Sequence, residues 1–161
     1  MRSVCHSRDG DCGYSYVVSV PVSTTLVAGV YAGDIWAKGL AGTLQLRALA
    51  GDVTLTDLSG PLYVTGGSGN ITAAGLRSAT SNVEEGDGNV SLRFAAAPSH
   101  LVAKTGTGDV GVIVPPSFSY HVLTSDQLGN VASGISDDVS SPRVISLSVG
   151  TGNIDLNQFQ G

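Results

Sequence analysis

Short stretches of this chain alternate apolar and polar residues, and the stretches recur. Seven times a glycine precedes Asp or Asn and then Ile or Val: Gly33-Asp34-Ile35, Gly51-Asp52-Val53, Gly69-Asn70-Ile71, Gly88-Asn89-Val90, Gly108-Asp109-Val110, Gly129-Asn130-Val131 and Gly152-Asn153-Ile154. The intervals are 18, 18, 19, 20, 21 and 23 residues. A near-constant period of this size marks a solenoid, in which no single coil can bury its apolar side alone.

Aligning the copies on that Ile or Val exposes the inward columns. Two residues later stand Ala37, Leu55, Ala73, Leu92, Val112, Ser133 and Leu156. Nine before stand Leu26, Leu44, Leu62, Ser81, Leu101, Val122 and Ile145, and seven before stand Ala28, Leu46, Val64, Val83, Ala103, Thr124 and Leu147. Period-two spacing puts these four columns on one face, so each coil carries at least two short strands. The expected fold is all-β, a parallel β-solenoid of about seven coils of 18–23 residues, with crossovers that favour a right-handed path. Stacked at about 4.8 Å, the coils make a rod about 30 Å long. Glycine supplies the corner conformation, and the Asp or Asn after it fixes the turn through its short side chain. Asp34, Asp52, Asn70, Asn89, Asp109, Asn130 and Asn153 are therefore expected to form a turn ladder, with Asn relieving the repulsion of stacked carboxylates.

Other segments are placed by the same alternation. Tyr14 to Val22 reads as a first strand capping one end, and the polar stretch from Leu156 to Gly161 closes the other. Val114 to Phe118 contains Pro115-Pro116 and reads as a corner loop. Residues Ser133 to Pro142 read as a protruding loop. The organisation is thus an N-terminal Cys-bracketed loop over 1–13 and a single solenoid domain over 14–161.

Composition narrows the function. Charged residues make up 13% of the 161 positions, so the polar surface is built from hydroxyls and backbone. The net charge of −5 and the scatter of the eight Lys and Arg leave no cluster to neutralise a run of phosphates, which excludes a nucleic-acid partner. No apolar run is long enough to span a bilayer, so a membrane contact would need an anchor outside this chain. Cys5 and Cys12 bracket a polar loop. A disulfide is the first reading and points to an oxidising compartment; two free thiols are the second, and a zinc site a poor third.

Catalytic and metal chemistry finds little support. His6, His100 and His121 lie far apart in the chain, and Gly66-Gly67-Ser68-Gly69-Asn70 departs from a nucleophile elbow at its last position. A calcium β-roll motif started at Gly66 would put Ile71 where the ligand Asp belongs. The group Glu84-Glu85-Gly86-Asp87 reads as a solvated corner and Asp137-Asp138 as a loop pair. No catalytic, cofactor-binding or metal-ligating residue is assigned. Trp36 and Tyr63 fall on solvent-side positions and are candidate surface-binding residues; Phe94, Phe118 and Tyr120 lie near loops.

The residues Gly51-Asp52-Val53-Thr54-Leu55-Thr56, Gly67-Ser68-Gly69-Asn70-Ile71, Lys104-Thr105-Gly106-Thr107-Gly108-Asp109-Val110 and Val114-Pro115-Pro116 resemble a bacterial adhesin-like family of unknown function. Its members carry β-strand repeats of the Gly-Ser-Gly-Asp-Val type. The resemblance covers about residues 14–157. It implies a β-solenoid displayed at the cell envelope, with no enzyme activity and no cofactor. The expected role is a non-enzymatic, extracytoplasmic structural or binding module whose ligand is a protein, peptide or glycan. Self-association end to end is a further expectation, and the alternative is a carbohydrate-binding or carbohydrate-processing β-helix.

Overall fold

A computed structural model describes residues 2–5 and 14–159, with side-chain burial from residue 16 onward. Strands β1 (Arg2–Cys5) and β2 (Tyr14–Val17) pair antiparallel with each other. The solenoid begins at β3 (Leu26–Ala32) and β4 (Ile35–Lys38), the first coil. Coil two is β5 (Leu44–Ala50) and β6 (Val53–Thr56); coil three is β7 (Leu62–Ser68) and β8 (Ile71–Leu76). Coil four is β9 (Thr80–Asp87) and β10 (Val90–Phe94); coil five is β11 (His100–Thr107) and β12 (Val110–Val114). The last two coils are continuous strands, β13 (His121–Ser133) and β14 (Val144–Gln158).

Every pairing within the solenoid is parallel, and apart from the end of β8 against β10 each keeps the repeat register, as in Ile35 beside Val53 and Val53 beside Ile71. The protein is thus an all-β parallel solenoid of about seven turns, with no helix among the described residues. Its strands alternate as the sequence pattern requires. Strand β5 reads buried-exposed-buried from Leu44, and Val53, Leu55, Ile71 and Ala73 are at most 1% exposed. A third side is closed by a column of Leu40, Leu58 and Leu76, joined by backbone bonds such as Ser59 N–H to the Leu40 carbonyl at 3.0 Å.

The corner glycines are required by the stacking. Gly51 has φ of 135°, and a Cβ there would collide with the Gly33 carbonyl directly beneath it.

The spatial order of the coils departs from their order in the chain. Strand β14 pairs with β11 through its first half and with β12 through its second half, and among the described residues β13 pairs with β14 alone. The seventh coil therefore lies inside and the sixth is the outer layer. Burial explains the exchange. Strand β14 carries Ile145, Leu147, Val149, Ile154 and Leu156, all buried, whereas β13 is exposed or half-exposed throughout. The more apolar coil takes the interior site and the polar one faces water. Leu156 thus sits in the core, and the expected polar end over Leu156–Gly161 is replaced by β13.

Three other expectations are corrected. Tyr14–Val17 joins Arg2–Cys5 instead of starting the stack; the segment after it reaches the solenoid, where Ala41 N–H donates to the Val22 carbonyl at 2.6 Å. Pro21 has no N–H to offer a ladder, which suits this departure. The loop after β13 folds across the end of the stack instead of protruding. Ile135 and Ser141 are buried in it, and Tyr120 bridges to Asp137. Phe94 and Tyr120 are fully buried core residues, not surface aromatics. Phe94 continues the inward alternation of Val90 and Leu92, and an extra residue in β8 between Ala73 and Leu76 brings Leu76 beside it, so Phe94 extends the third-side column.

Candidate functional site

The open end of the stack carries exposed apolar side chains, as does the outer strand β13 with Leu123 and Leu128. Strands β3 and β4 are the lowest layer of the stack, and their inward residues Leu26, Ala28, Val30, Ile35 and Ala37 are only partly buried. Around them Val27, Tyr31 and Trp36 are 70%, 80% and 72% exposed. Val27 and Tyr31 stand on the long-strand face and Trp36 on the short-strand face of this layer, and exposed apolar groups are candidates for interaction.

Trp36 and Tyr63 lie on different faces. Trp36 stands on the short-strand face and borders a hollow of about 300 Å³ between Val18–Val20 and Lys38–Leu40. Tyr63 stands on the long-strand face and borders a shallow hollow of about 390 Å³ with Val27, Gln45, Arg47 and Thr65. The registers align Val27, Gln45 and Tyr63 in one row and Gly29, Arg47 and Thr65 in the next, so Gly29 leaves room beside Arg47. Further along this face Lys104 and Glu84 form an ion pair at 3.6 Å.

The ladder residues meet as hydrogen-bonded neighbours in the stack. Asp52 N–H donates to Asp34 Oδ1 at 2.9 Å, and Asn70 donates its N–H and its side-chain amide to Asp52 Oδ1 at 2.8 and 3.2 Å. Asn89 N–H donates to Asn70 Oδ1, and Asp109 N–H to Asn89 Oδ1. Asn153 then stands on Asp109, and Asn130 Nδ2 reaches Asn153 Oδ1 at 3.4 Å from the outermost layer. These side chains hold the corners, so their chemistry is structural. The pairing of Cys5 with Cys12 lies outside the described residues.

Sequence reasoning missed a fifth inward column, five residues before the aligned Ile or Val. It contains Val30, Ala48, Gly66, Glu85, Thr105 and, in the last coils, Val149 and Asp126. Its mixed chemistry hides it from a search for apolar residues; the burial of Ala48 and Val149 shares the same period. Glu85, expected at a solvated corner, is 6% exposed. Gly66 makes this feasible, because a Cβ there would occupy the place of Glu85 Oε2. Burial pushes the Glu85 carboxyl above the usual carboxylate range, the Gly86 N–H bond at 3.1 Å pulls it back, and the charges of Asp87 and Asp52 raise it further.

The closed end gathers polar side chains. Asp137 Oδ1 accepts the Val122 N–H at 2.8 Å and contacts His121 Nδ1 at 3.0 Å; these two bonds hold its carboxyl below the usual range. Asp138 accepts from the Ser140 hydroxyl and N–H, which lower it likewise. Arg143 stacks on Phe118 with its guanidinium carbon 4.7 Å from the ring centre. Asp137 therefore fastens the loop to β13, while the Asp138 carboxylate is committed to Ser140 within the loop. Among the described residues no group of three His, Cys, Asp or Glu side chains is placed to hold a metal ion.

A family model for the Toastrack DUF4097 domain matches residues 4–157, almost the whole chain. The chain belongs to this family. Comparison with curated proteins and with solved structures finds no match. A Toastrack DUF4097 domain is one of unknown function, so the likeness covers the repeat architecture described above.

Proposed function

We propose that this Toastrack domain is a non-enzymatic, extracytoplasmic β-solenoid that serves as an adhesin-like structural or binding module. The observation that carries the reading is the exposed surface of the first coils, where Val27, Tyr31 and Trp36 project from a rigid parallel stack. Rigid presentation limits the entropy lost on binding, which suits a scaffold that meets a protein, peptide or glycan surface. The acids that a hydrolase would need have other duties: Asp137 fastens a loop, Asp138 is committed within it, and Glu85 is enclosed.

Localisation of the native protein, by fractionation and by a fluorescent fusion, tests the reading. Recovery at the cell envelope or outside the cell is the expected result, and a strictly cytoplasmic protein overturns it.

A second reading is favoured by one observation, the hollow beside Tyr63. An exposed ring next to Gln45 and Arg47 offers stacking and hydrogen bonds to a sugar, so a carbohydrate-binding or carbohydrate-processing β-helix is the alternative. Polysaccharide cleavage that disappears in Asp137→Asn or Glu85→Gln would select the processing form. Glycan binding lost in Tyr63→Ala without turnover would select the binding form.

A further inference from the structure

We propose that two copies of this chain join through the free edge of β3, antiparallel and centred on Gly29. Among the described residues strand β3 pairs with β5 alone, which leaves its other edge open. Its sequence, Leu26 to Ala32, contains no charge, and an uncharged, exposed edge strand is a template for another strand. The inward residues Leu26, Ala28 and Val30 are half-buried, while their equivalents one layer up, Leu44, Leu46 and Ala48, are at most 4% exposed. One more layer is what separates the two states.

The backbone fixes the register. Leu26 N–H donates upward to the Thr43 carbonyl. Alternation then turns the groups of Ala28 and Val30 upward as well, and those of Val27, Gly29 and Tyr31 toward the free edge. Antiparallel pairing about Gly29 sets Gly29 opposite the partner's Gly29 and Val27 opposite the partner's Tyr31. All three open residues become hydrogen-bonded pairs, with about six bonds across the edge. Ala28 meets the partner's Val30 and Leu26 the partner's Ala32 on the core side, so small residues face larger ones. On the outer side Val27 beside the partner's Tyr31 is a favourable β-branched and aromatic pair.

Head-to-tail stacking is disfavoured by the opposite edge. Asp126 of β13 occupies the inward column of Val30, and both its carboxylate oxygens are shut from solvent without a hydrogen-bond partner. Docking β3 of another copy there would cover an unpaired carboxylate with Val30. An inward charge at one edge and none at the other assigns the contact to β3 against β3.

This pairing goes beyond the surface-module reading: cell location tests that one, solution mass tests this one. Light scattering on the eluting 161-residue chain should give twice the chain mass. Val27→Lys with Tyr31→Lys, both at exposed positions, should weaken the dimer roughly tenfold or more. Leu128→Lys, on the outer strand β13, should leave it intact. Amide exchange should show Val27, Gly29 and Tyr31 protected in the dimer and unprotected after dilution to the monomer, a readout independent of the variants. A single-chain mass at all concentrations overturns the proposal. So does a dimer that survives the double lysine variant, or one lost in Leu128→Lys, or open-ended growth.

Discussion

Asn153 donates its backbone N–H to Asp109 Oδ1 at 2.8 Å, although 44 residues of chain separate the two. That bond fixes the place of the seventh coil, against the fifth and beneath the sixth. Interior burial then predicts unequal sensitivity. Ile154 is 1% exposed and Val131, its neighbour in β13, is 45% exposed. Ile154→Ala should cost about 2–5 kcal/mol, as for a large buried aliphatic. Val131→Ala should cost less than about 1 kcal/mol. Denaturant unfolding of both variants measures the difference, and a stack in chain order would reverse it.

The ladder makes a second prediction, because its members accept different numbers of bonds. Asp109 Oδ1 accepts both the N–H and the side-chain amide of Asn153, at 2.8 and 2.9 Å. Asp34 Oδ1 accepts the Asp52 N–H alone. At about 0.5–1.5 kcal/mol per net hydrogen bond, Asp109→Ala should destabilise about twice as much as Asp34→Ala. Comparing the two denaturation midpoints decides whether the ladder carries stability or only follows the corners.

Much of this architecture is legible in the chain because each feature repeats. The Gly-Asp/Asn-Ile/Val triplet, the four inward columns and the parallel register all follow from periodicity. What periodicity leaves open is which coil lies where. The weak inward residues Ser133 and Thr124 were visible in the sixth repeat, but their meaning, that this coil is the outer layer, depends on competition with the more apolar seventh. Phe94 was misplaced because its position near a loop outweighed the period-two alternation of Val90 and Leu92, which runs on through it and points it inward. Glu85 was misplaced because its burial depends on the absence of a side chain at Gly66, a spatial neighbour 19 residues away.

That neighbour relationship is testable as a cycle. Gly66→Ala places a Cβ on Glu85 Oε2 and should destabilise by about 1–3 kcal/mol through overpacking. The same column holds Ala48 and Val30 without strain, so the site tolerates small aliphatics once the carboxylate is gone. Gly66→Ala combined with Glu85→Ala should therefore be more stable than the sum of the single changes predicts, by about 0.5–3 kcal/mol of coupling. Additive unfolding free energies would refute the steric link.

The enclosed carboxyl also sets a pH dependence whose sign is fixed. Burial holds Glu85 above the ordinary carboxylate range, so the folded chain binds its proton more tightly than the unfolded chain does. Its contribution to stability is complete below the unfolded value and is lost as pH rises through the folded one. Asp137 and Asp138 act in the opposite sense: the bonds from Val122 and Ser140 depress them, and their contributions vanish on acidification. The wild-type profile mixes these signs, so the comparison with Glu85→Gln isolates one of them. Subtracting the two unfolding profiles should leave a wild-type deficit that begins at the usual carboxylate range, grows with pH and then levels. A flat difference would mean that the Glu85 carboxyl is solvated in solution, and would return it to the corner surface where its acidic neighbours lie.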